Sequence, residues 1–305
     1  MTTVAQERFP VMGNTADITV VGDARLLEVA KSQLQKLEQL WSRFISTSEI
    51  SQLNNADGNV TTVSPHTITL INYLVGAHTS TNGAFDPTLL PVLIDLGYGT
   101  SLTNQQHRST LTTEMKWNIP LSDIRINEST RQVQLPKGLT LDPGGLGKGL
   151  AADIVATELI ALGADGVCIS VGGDIRCIGT SPQGEFWTIP IETPAVNSPV
   201  NGASFKQGGI ATSWVKAKTW QSPRGTQHHI VNPLTKQSLS ATDSNLAQTT
   251  VIANEAVWAE IYATALLVNG SQHMFPVIDS LGIAALAIDH HGNVLESKHW
   301  KEFSQ

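Results

Sequence analysis

An α+β fold, with strands and helices mixed around a sheet core, is the class this 305-residue chain predicts. Strand-like and helix-like segments follow one another without the strict strand-helix-strand alternation of a parallel sheet. Several neighbouring strand segments are joined by turns short enough to make hairpins. Two strong helical stretches, LLEVAKSQLQKLEQLWSRF and EAVWAEIYATALLVNG, lie near opposite ends of the chain.

The elements follow in order. Asp17–Val21 (DITVV) alternates polar and apolar residues, as a half-buried strand does. In the next segment Leu27, Ala30, Leu34, Leu37 and Trp41 recur at three- and four-residue steps and form the apolar face of a helix. Ser46-Thr47-Ser48-Glu49 ends it, and ISQLNNADG reads as a polar loop. Thr67–Ser80 reads as a second helix. TNGAFDPTLLPVL then carries Gly, Pro and Asp among apolar residues, and residues 100–120 are polar and irregular, as a surface insertion would be. DIRINEST and RQVQLP pair as a hairpin. Gly138–Leu141 reads as a short strand before LDPGGLGKGLAAD. The helix that follows has Ala151, Val155, Leu159 and Leu162 on one stripe, with Asp153 on its other side, and it stops at Gly163-Ala164-Asp165-Gly166. GVCISVGGDIRCIG reads as strand, Gly-Gly turn, strand. FWTIPIE is another strand, and residues 193–208 form a second expected surface insertion. GGIATSW, HHIVNP and TTVIAN read as strands. The late helix closes at Asn269-Gly270, and IAALAIDHHGNVLES is a hairpin turning at His291-Gly292-Asn293. There is no internal repeat, so residues 1–305 are read as a single domain with its subdomain boundaries left open.

Composition narrows the function. Hydrophobic residues make up 41% of the chain, ordinary for a globular protein. A net charge of −7 and the lack of any Lys/Arg run argue against a nucleic-acid partner. Cys168 and Cys177 supply neither a disulfide framework nor a metal cluster. No stretch has membrane-spanning length, so no membrane insertion is expected. The start, MTTVAQERFPVMGN, has no apolar core of a signal peptide and no lipobox, which favours a cytoplasmic location.

Four motifs carry chemistry. LDPGGLGKGLAAD puts four glycines and Lys148 at a helix start, where a backbone can approach an anion. It fails the Walker template, which needs Gly where Asp142 stands and Ser or Thr where Gly149 stands. Gly147, Gly149 and Ala152 meet only a relaxed dinucleotide fingerprint, and a glycine-rich turn capping a core helix explains the stretch as well. Ala84-Phe85-Asp86-Pro87 has the parts to hold a flat ring and fix one polar edge, or to form an ordinary loop with a buried Phe. His228-His229 offers a general base, and no Cys or His partner lies at zinc spacing. Glu260 and Thr264, four apart on a helix, place a carboxylate and a hydroxyl on one face, the hard donors that suit Mg²⁺. Together these make a metal site, a phosphate loop, a base and an aromatic slot, as attack on the phosphoanhydride of an aromatic nucleotide requires.

The order of the motifs extends this reading. Val11-Met12-Gly13, Ser42-Arg43-Phe44 with Ser48–Asn54, Gly83–Thr88 with Pro91, Leu141–Gly149 with Asp153, Val171–Arg176, Ala211-Thr212-Ser213, His228–Pro233 and Ala259–Ala265 run along nearly the whole chain. In this arrangement the chain resembles the ApbE family, the FAD:protein FMN transferases. The resemblance implies a mixed α/β fold with a sheet core flanked by helices and an FAD site in a cleft between two subdomains. It implies FAD as substrate, Mg²⁺ (or Mn²⁺) as cofactor, and transfer of FMN to a Thr or Ser hydroxyl of an acceptor flavoprotein with release of AMP. By the same resemblance Gly145, Glu260 and Thr264 would hold the metal. Met12, Phe44, Ala84, Phe85, Asp86, Asp142, Lys148 and Ile230 would line the FAD site, and His229 would be the base. Two other activities would use the same site: FAD hydrolysis to FMN and AMP, or flavin binding without catalysis. The chain departs from the family pattern at Glu260 (usually Asp), at Trp214 in Thr212-Ser213-Trp214 (usually Gly), and at Lys236 in Pro233-Leu234-Thr235-Lys236 (usually Gly). All three departures lie on the expected metal and acceptor side.

Overall fold

A computed structural model describes residues 3–111, 119–193 and 202–304. Residues 112–118 and 194–201, parts of the two expected insertions, lie outside the described residues. The centre is an eight-stranded sheet built from β1 (Val4–Val11), β2 (Asn14–Val21), β3 (Gly166–Val171), β4 (Asp174–Gly179), β5 (Gly208–Trp214), β6 (Leu246–Ala253), β7 (Ala284–Asp289) and β8 (Val294–Glu296). In space the strands stand in chain order, and every neighbouring pair is antiparallel. Between β2 and β3 the chain makes α1 (Leu26–Trp41), α2 (Glu49–Asn54), α3 (Pro65–Ser80), α4 (Leu90–Asp95) and α5 (Gly147–Ala161). Between β6 and β7 it makes α6 (Ala256–Asn269) and α7 (Ser271–Ser280). The α+β class and the sheet core flanked by helices agree with the sequence reading. Among the described residues no helix is long and apolar enough to cross a membrane.

Two-residue turns set the register of the first strand pairs. Val11 pairs with Asn14 across Met12 (φ 52°) and Gly13 (φ 63°), and Val171 pairs with Asp174 across Gly172 (φ 61°) and Gly173 (φ 94°). Two successive positive φ angles are the signature of a hairpin turn whose twist matches the strands. Met12 adopts this conformation without the freedom of glycine. Both turns fall at the same end of the sheet.

Strand alternation then divides the core. Val251 on β6 and Ala285 and Ala287 on β7 face α6 and α7, whereas Ile252, Ala284, Leu286 and Ile288 pack with Trp187, Phe205 and Trp300 on the other side. Ala16, Ile18 and Val20 on β2 join Leu34 and Leu37 of α1 and Leu150, Ala151 and Val155 of α5. The sheet is therefore covered on both faces, and this explains why β6 is buried along most of its length, polar Gln248, Thr249 and Thr250 included, and why β7 is a nearly continuous apolar run.

Several local expectations change. The first strand begins at Val4, ahead of the predicted Asp17–Val21, and forms a long hairpin with β2. ISQLNNADG, read as a loop, begins with helix α2, whose N-terminus is capped by Ser48 Oγ accepting from Ser51 N. Gly138–Leu141 is not a strand. Ala203–Phe205, within the second expected insertion, pairs with Trp187–Ile189. Leu162 is 55% exposed because α5 ends one residue earlier.

Asp153, expected on the other side of α5 from its apolar stripe, gains a role that the sequence left open. Its carboxylate is buried and accepts the N–H groups of Ala256 (2.9 Å) and Val257 (2.8 Å), the first turn of α6. These are amides that a helix leaves without internal partners, and an anion there is favoured by the helix dipole. Arg176 lies 3.3 Å from the same carboxylate. Asp153→Ala is expected to cost about 2 kcal/mol or more in urea unfolding, because it strands buried amides and a buried cation. A loss below about 0.5 kcal/mol would show that the cap contributes little.

Candidate active site

A cleft of about 960 Å³ opens at the end of the sheet that carries both two-residue turns. Met12, Phe44, Ala84, Phe85, Asp86, Asp142, Gly145, Lys148, His229, Ile230, Glu260 and Thr264 all border it. The structure thus brings together the twelve residues to which the resemblance gave a site role, whereas His228, Gly149, Asp153 and Lys236 do not border the cleft.

The glycine-rich loop before α5 is held from outside. Asn54, at the end of α2, accepts from Leu141 N (2.8 Å) and donates to Leu141 O (2.9 Å). Asp142 N donates to Pro87 O, and Asp142 Oδ1 accepts from Gly144 N. Gly145 lies so close to Phe85 that a Cβ there would sit 2.7 Å from the ring. Asp86 is satisfied locally: Oδ1 accepts from Thr88 N and Oγ1, and Oδ2 lies 3.4 Å from Lys236 Nζ. Lys236 takes φ 56° at the position where the family pattern has Gly, and its side chain closes back on Asp86.

Two sites of charge dominate the cleft. Arg43, unassigned from the sequence, lies 3.4 Å from Asp142, donates to Tyr98 O and Ser109 Oγ, and lies over the rings of Phe44 (4.1 Å) and Tyr98 (4.6 Å). Tyr98 in turn stacks on Trp220 (4.9 Å). The second is a buried triad in which Lys148 Nζ donates to both Asp174 Oδ2 and Glu260 Oε1, while Glu260 Oε2 accepts from Gly149 N (2.8 Å). Burial alone would favour the neutral amine of Lys148, but the two carboxylates outweigh it and raise its pKa above the usual range. Burial, and then Asp174, push the Glu260 carboxyl upward. Asp174, in the Gly-Gly turn motif, could have been suspected from its place beside that turn. Tyr98 and Trp220 carry no such signal, because only the fold brings their segments to the cleft.

The residues expected to hold a metal are a main-chain carbonyl, a carboxylate and a hydroxyl. Among the described residues no group of three or more His, Cys, Asp or Glu side chains is placed to hold one, so such a site would draw partly on neutral oxygens. Thr264 Oγ1 lies 3.2 Å from Ser213 Oγ. Gly145, Glu260 and Thr264 are hard oxygen donors, and each engaged Glu260 oxygen keeps a second lone pair. One ammonium answers two buried carboxyl groups, so a divalent cation would take the place of the proton that burial favours on Glu260. On donor type and charge, the set fits a hard divalent ion.

His228 and His229 have different surroundings. β-strand pairing of Thr219–Ser222 with Gly225–His228 ends at His228, whose Nε2 lies 2.9 Å from Leu239 O. His229 lies beyond it, on the cleft, with Nδ1 3.3 Å from Lys218 O. A carbonyl only accepts, so Nδ1 carries the proton and Nε2 is left basic. Burial, and then the nearby Lys218, lower the His229 pKa to about 3. The ring is only half-buried and opens on the cleft, so solvent moderates that displacement, but its direction is clear.

Comparison with known proteins gives the same picture. The model of the ApbE family matches residues 12–287. The chain is 25% identical to an FAD:protein FMN transferase of Vibrio cholerae serotype O1 over 293 residues, covering 92% of this chain and 85% of that protein. It is 26% identical to an FAD:protein FMN transferase of Escherichia coli K12 over 277 residues, 88% of this chain and 78% of the relative. The crystal structure of the ApbE protein of Thermotoga maritima superposes with a TM-score of 0.84 at 21% identity, covering 99% of this chain and all of the other. The flavin transferase ApbE from Vibrio cholerae superposes at 0.80 and 23% identity, covering 99% and 100%. At these identities the two structural likenesses speak for the fold.

A half-buried histidine held neutral has a stability signature. With a folded pKa of about 3 against 6.5 for the free group, the unfolded chain takes up a proton that the folded protein refuses, so stability falls as pH drops from 6.5 toward 3. Between pH 7 and pH 5 the parent is expected to lose on the order of 1 kcal/mol more than His229→Gln, allowing for the open face of the ring. Urea unfolding at both pH values measures this, and equal losses in the two proteins would show that His229 is not held neutral by the fold.

Proposed function

Since the chain belongs to the ApbE family, we propose that it is an FAD:protein FMN transferase acting on a Thr or Ser hydroxyl of an acceptor flavoprotein. One observation carries the reading: motif residues from Met12 to Thr264 converge on a single cleft of about 960 Å³, within the range of small-molecule and cofactor sites. The names of the relatives support the same activity.

In this reading FAD lies against Met12, Phe44, Ala84, Phe85, Asp86, Asp142, Lys148 and Ile230. The acceptor oxygen forms a bond to the phosphorus of the FMN half, the bond from that phosphorus to the bridging oxygen breaks, and AMP leaves with the electron pair. The hydroxyl proton passes to His229 Nε2, the ring nitrogen left free by the contact of Nδ1 with Lys218 O. An anionic pyrophosphate beside the ring raises its proton affinity, so the base strengthens when substrate is present. Gly145, Glu260 and Thr264 are the residues that would hold Mg²⁺, or Mn²⁺ in its place, whose charge when bound offsets that of the pyrophosphate. The Lys148–Asp174–Glu260 triad keeps Glu260 in place through its contacts with Gly149 N and Lys148.

The test is incubation of the purified protein with FAD, Mg²⁺ and an acceptor domain bearing the Thr motif, followed by a denaturing gel. A flavin-fluorescent acceptor band is expected. FMN and AMP without the band would replace transfer by hydrolysis, and intact bound FAD would replace it by flavin carriage. His229→Ala is expected to slow labelling at least about 10²-fold. Glu260→Ala is expected to remove the dependence of turnover on the metal, leaving only background.

A further inference from the structure

Among the described residues three Lys or Arg side chains border the cleft: Arg43, Lys148 and Lys218. Arg43 is paired with Asp142, and Lys148 with Asp174 and Glu260. Lys218 has no hydrogen bond or ion pair from its ammonium among the described residues and feels Asp174 and Glu260 only across a distance. Two of the three charges are thus committed to the protein's own carboxylates, and one is free for an arriving anion.

The backbone fixes where that free charge stands. Thr219 pairs with His228 at the base of a small hairpin, and Lys218 and His229 flank this pair. Lys218 O accepts from His229 N (3.4 Å) and lies 3.3 Å from His229 Nδ1. The unpaired ammonium therefore belongs to the residue that also holds the base. Burial, and then repulsion by Lys148, lower its pKa to about 8, which leaves it largely cationic at neutral pH. A half-buried cation without a counter-ion is unfavourable unless an anion satisfies it.

We infer that Lys218 contacts the phosphoryl group that is transferred, supplying the positive charge that Lys148 has already given to Asp174 and Glu260. The inference rests on the FMN-transfer reading and deepens it. The ammonium donates to a non-bridging oxygen of the FMN phosphorus while the acceptor oxygen bonds to that phosphorus and the bond to the AMP oxygen breaks. No proton is exchanged with Lys218, and its charge offsets that of the phosphoryl oxygens throughout. Anchoring one phosphoryl oxygen to Lys218 also places the phosphorus next to His229, because one carbonyl joins the two residues.

Lys218→Met and Lys218→Arg test this, with binding of FAD and of riboflavin, which lacks phosphate, followed by flavin fluorescence alongside the rate of acceptor labelling. Lys218→Met is expected to bind riboflavin like the parent, to bind FAD about tenfold more weakly, and to label the acceptor about 10²-fold more slowly, as when one preorganised donor to a transition state is lost. Lys218→Arg is expected to recover most of the FAD affinity, because the charge is kept. Parent-like FAD affinity and labelling in Lys218→Met would overturn the inference, as would equal weakening of FAD and riboflavin, which would signal general damage to the cleft. A parent that binds FAD but never labels the acceptor would remove the transfer reading alone. The contrast between FAD and riboflavin would then decide whether Lys218 grips phosphate.

Discussion

Two helices hold each other's first turns by exchanging carboxylates, and the rest of the site depends on this. Asp153 of α5 accepts the amides of Ala256 and Val257 at the start of α6, and Glu260 of α6 accepts the amide of Gly149 in the first turn of α5. The helix starts approach so closely that a Cβ on Gly149 would lie 2.6 Å from Ala256 O. Each carboxylate satisfies an orphan amide, sits at the positive end of a dipole, and fixes the spacing of two segments more than a hundred residues apart. The glycine loop, Lys148, Glu260 and Thr264 take their relative positions from that clamp.

Around the clamp, the cleft is an exercise in charge placement. Arg43 and Lys148 would be costly to bury alone, and each is matched by acidic partners. The match is incomplete in two places. Asp174 and Glu260 share one ammonium, so a second cation, a proton or a metal ion, is needed next to the oxygen donors. The Lys218 ammonium has no partner among the described residues, which leaves positive charge beside His229. A divalent cation and a pyrophosphate are complementary to those two imbalances, and their opposite signs separate where each would sit.

The departures from the family pattern take on physical content in this setting. Glu260 has a methylene more than the Asp usual there, and its two oxygens reach both Lys148 and Gly149 N. Lys236 holds a left-handed backbone suited to Gly and uses its side chain to neutralise Asp86. Trp214 ends β5 at the rim of the cleft, half-buried against the α6 core.

Periodicity and motif order made much of the protein legible in the sequence: the α+β class, the long helices α1, α3, α5 and α6, the Gly-Gly hairpin, and the set of residues that border the cleft. These follow from local rules, in which a side-chain period selects helix or strand and glycine permits a turn or a close approach. What only the tertiary structure decided is which charge answers which. Asp153 had no legible role because one helix does not reveal another lying across it. Lys148 looked like a free phosphate ligand because Asp174 and Glu260 lie on other elements. Arg43 stood in a motif without an assigned role, and Lys218, Tyr98 and Trp220 left no mark, because their roles arise from segments that meet only when the sheet is complete. Coulomb interactions and desolvation depend on distance through space, and a linear pattern carries no record of that distance.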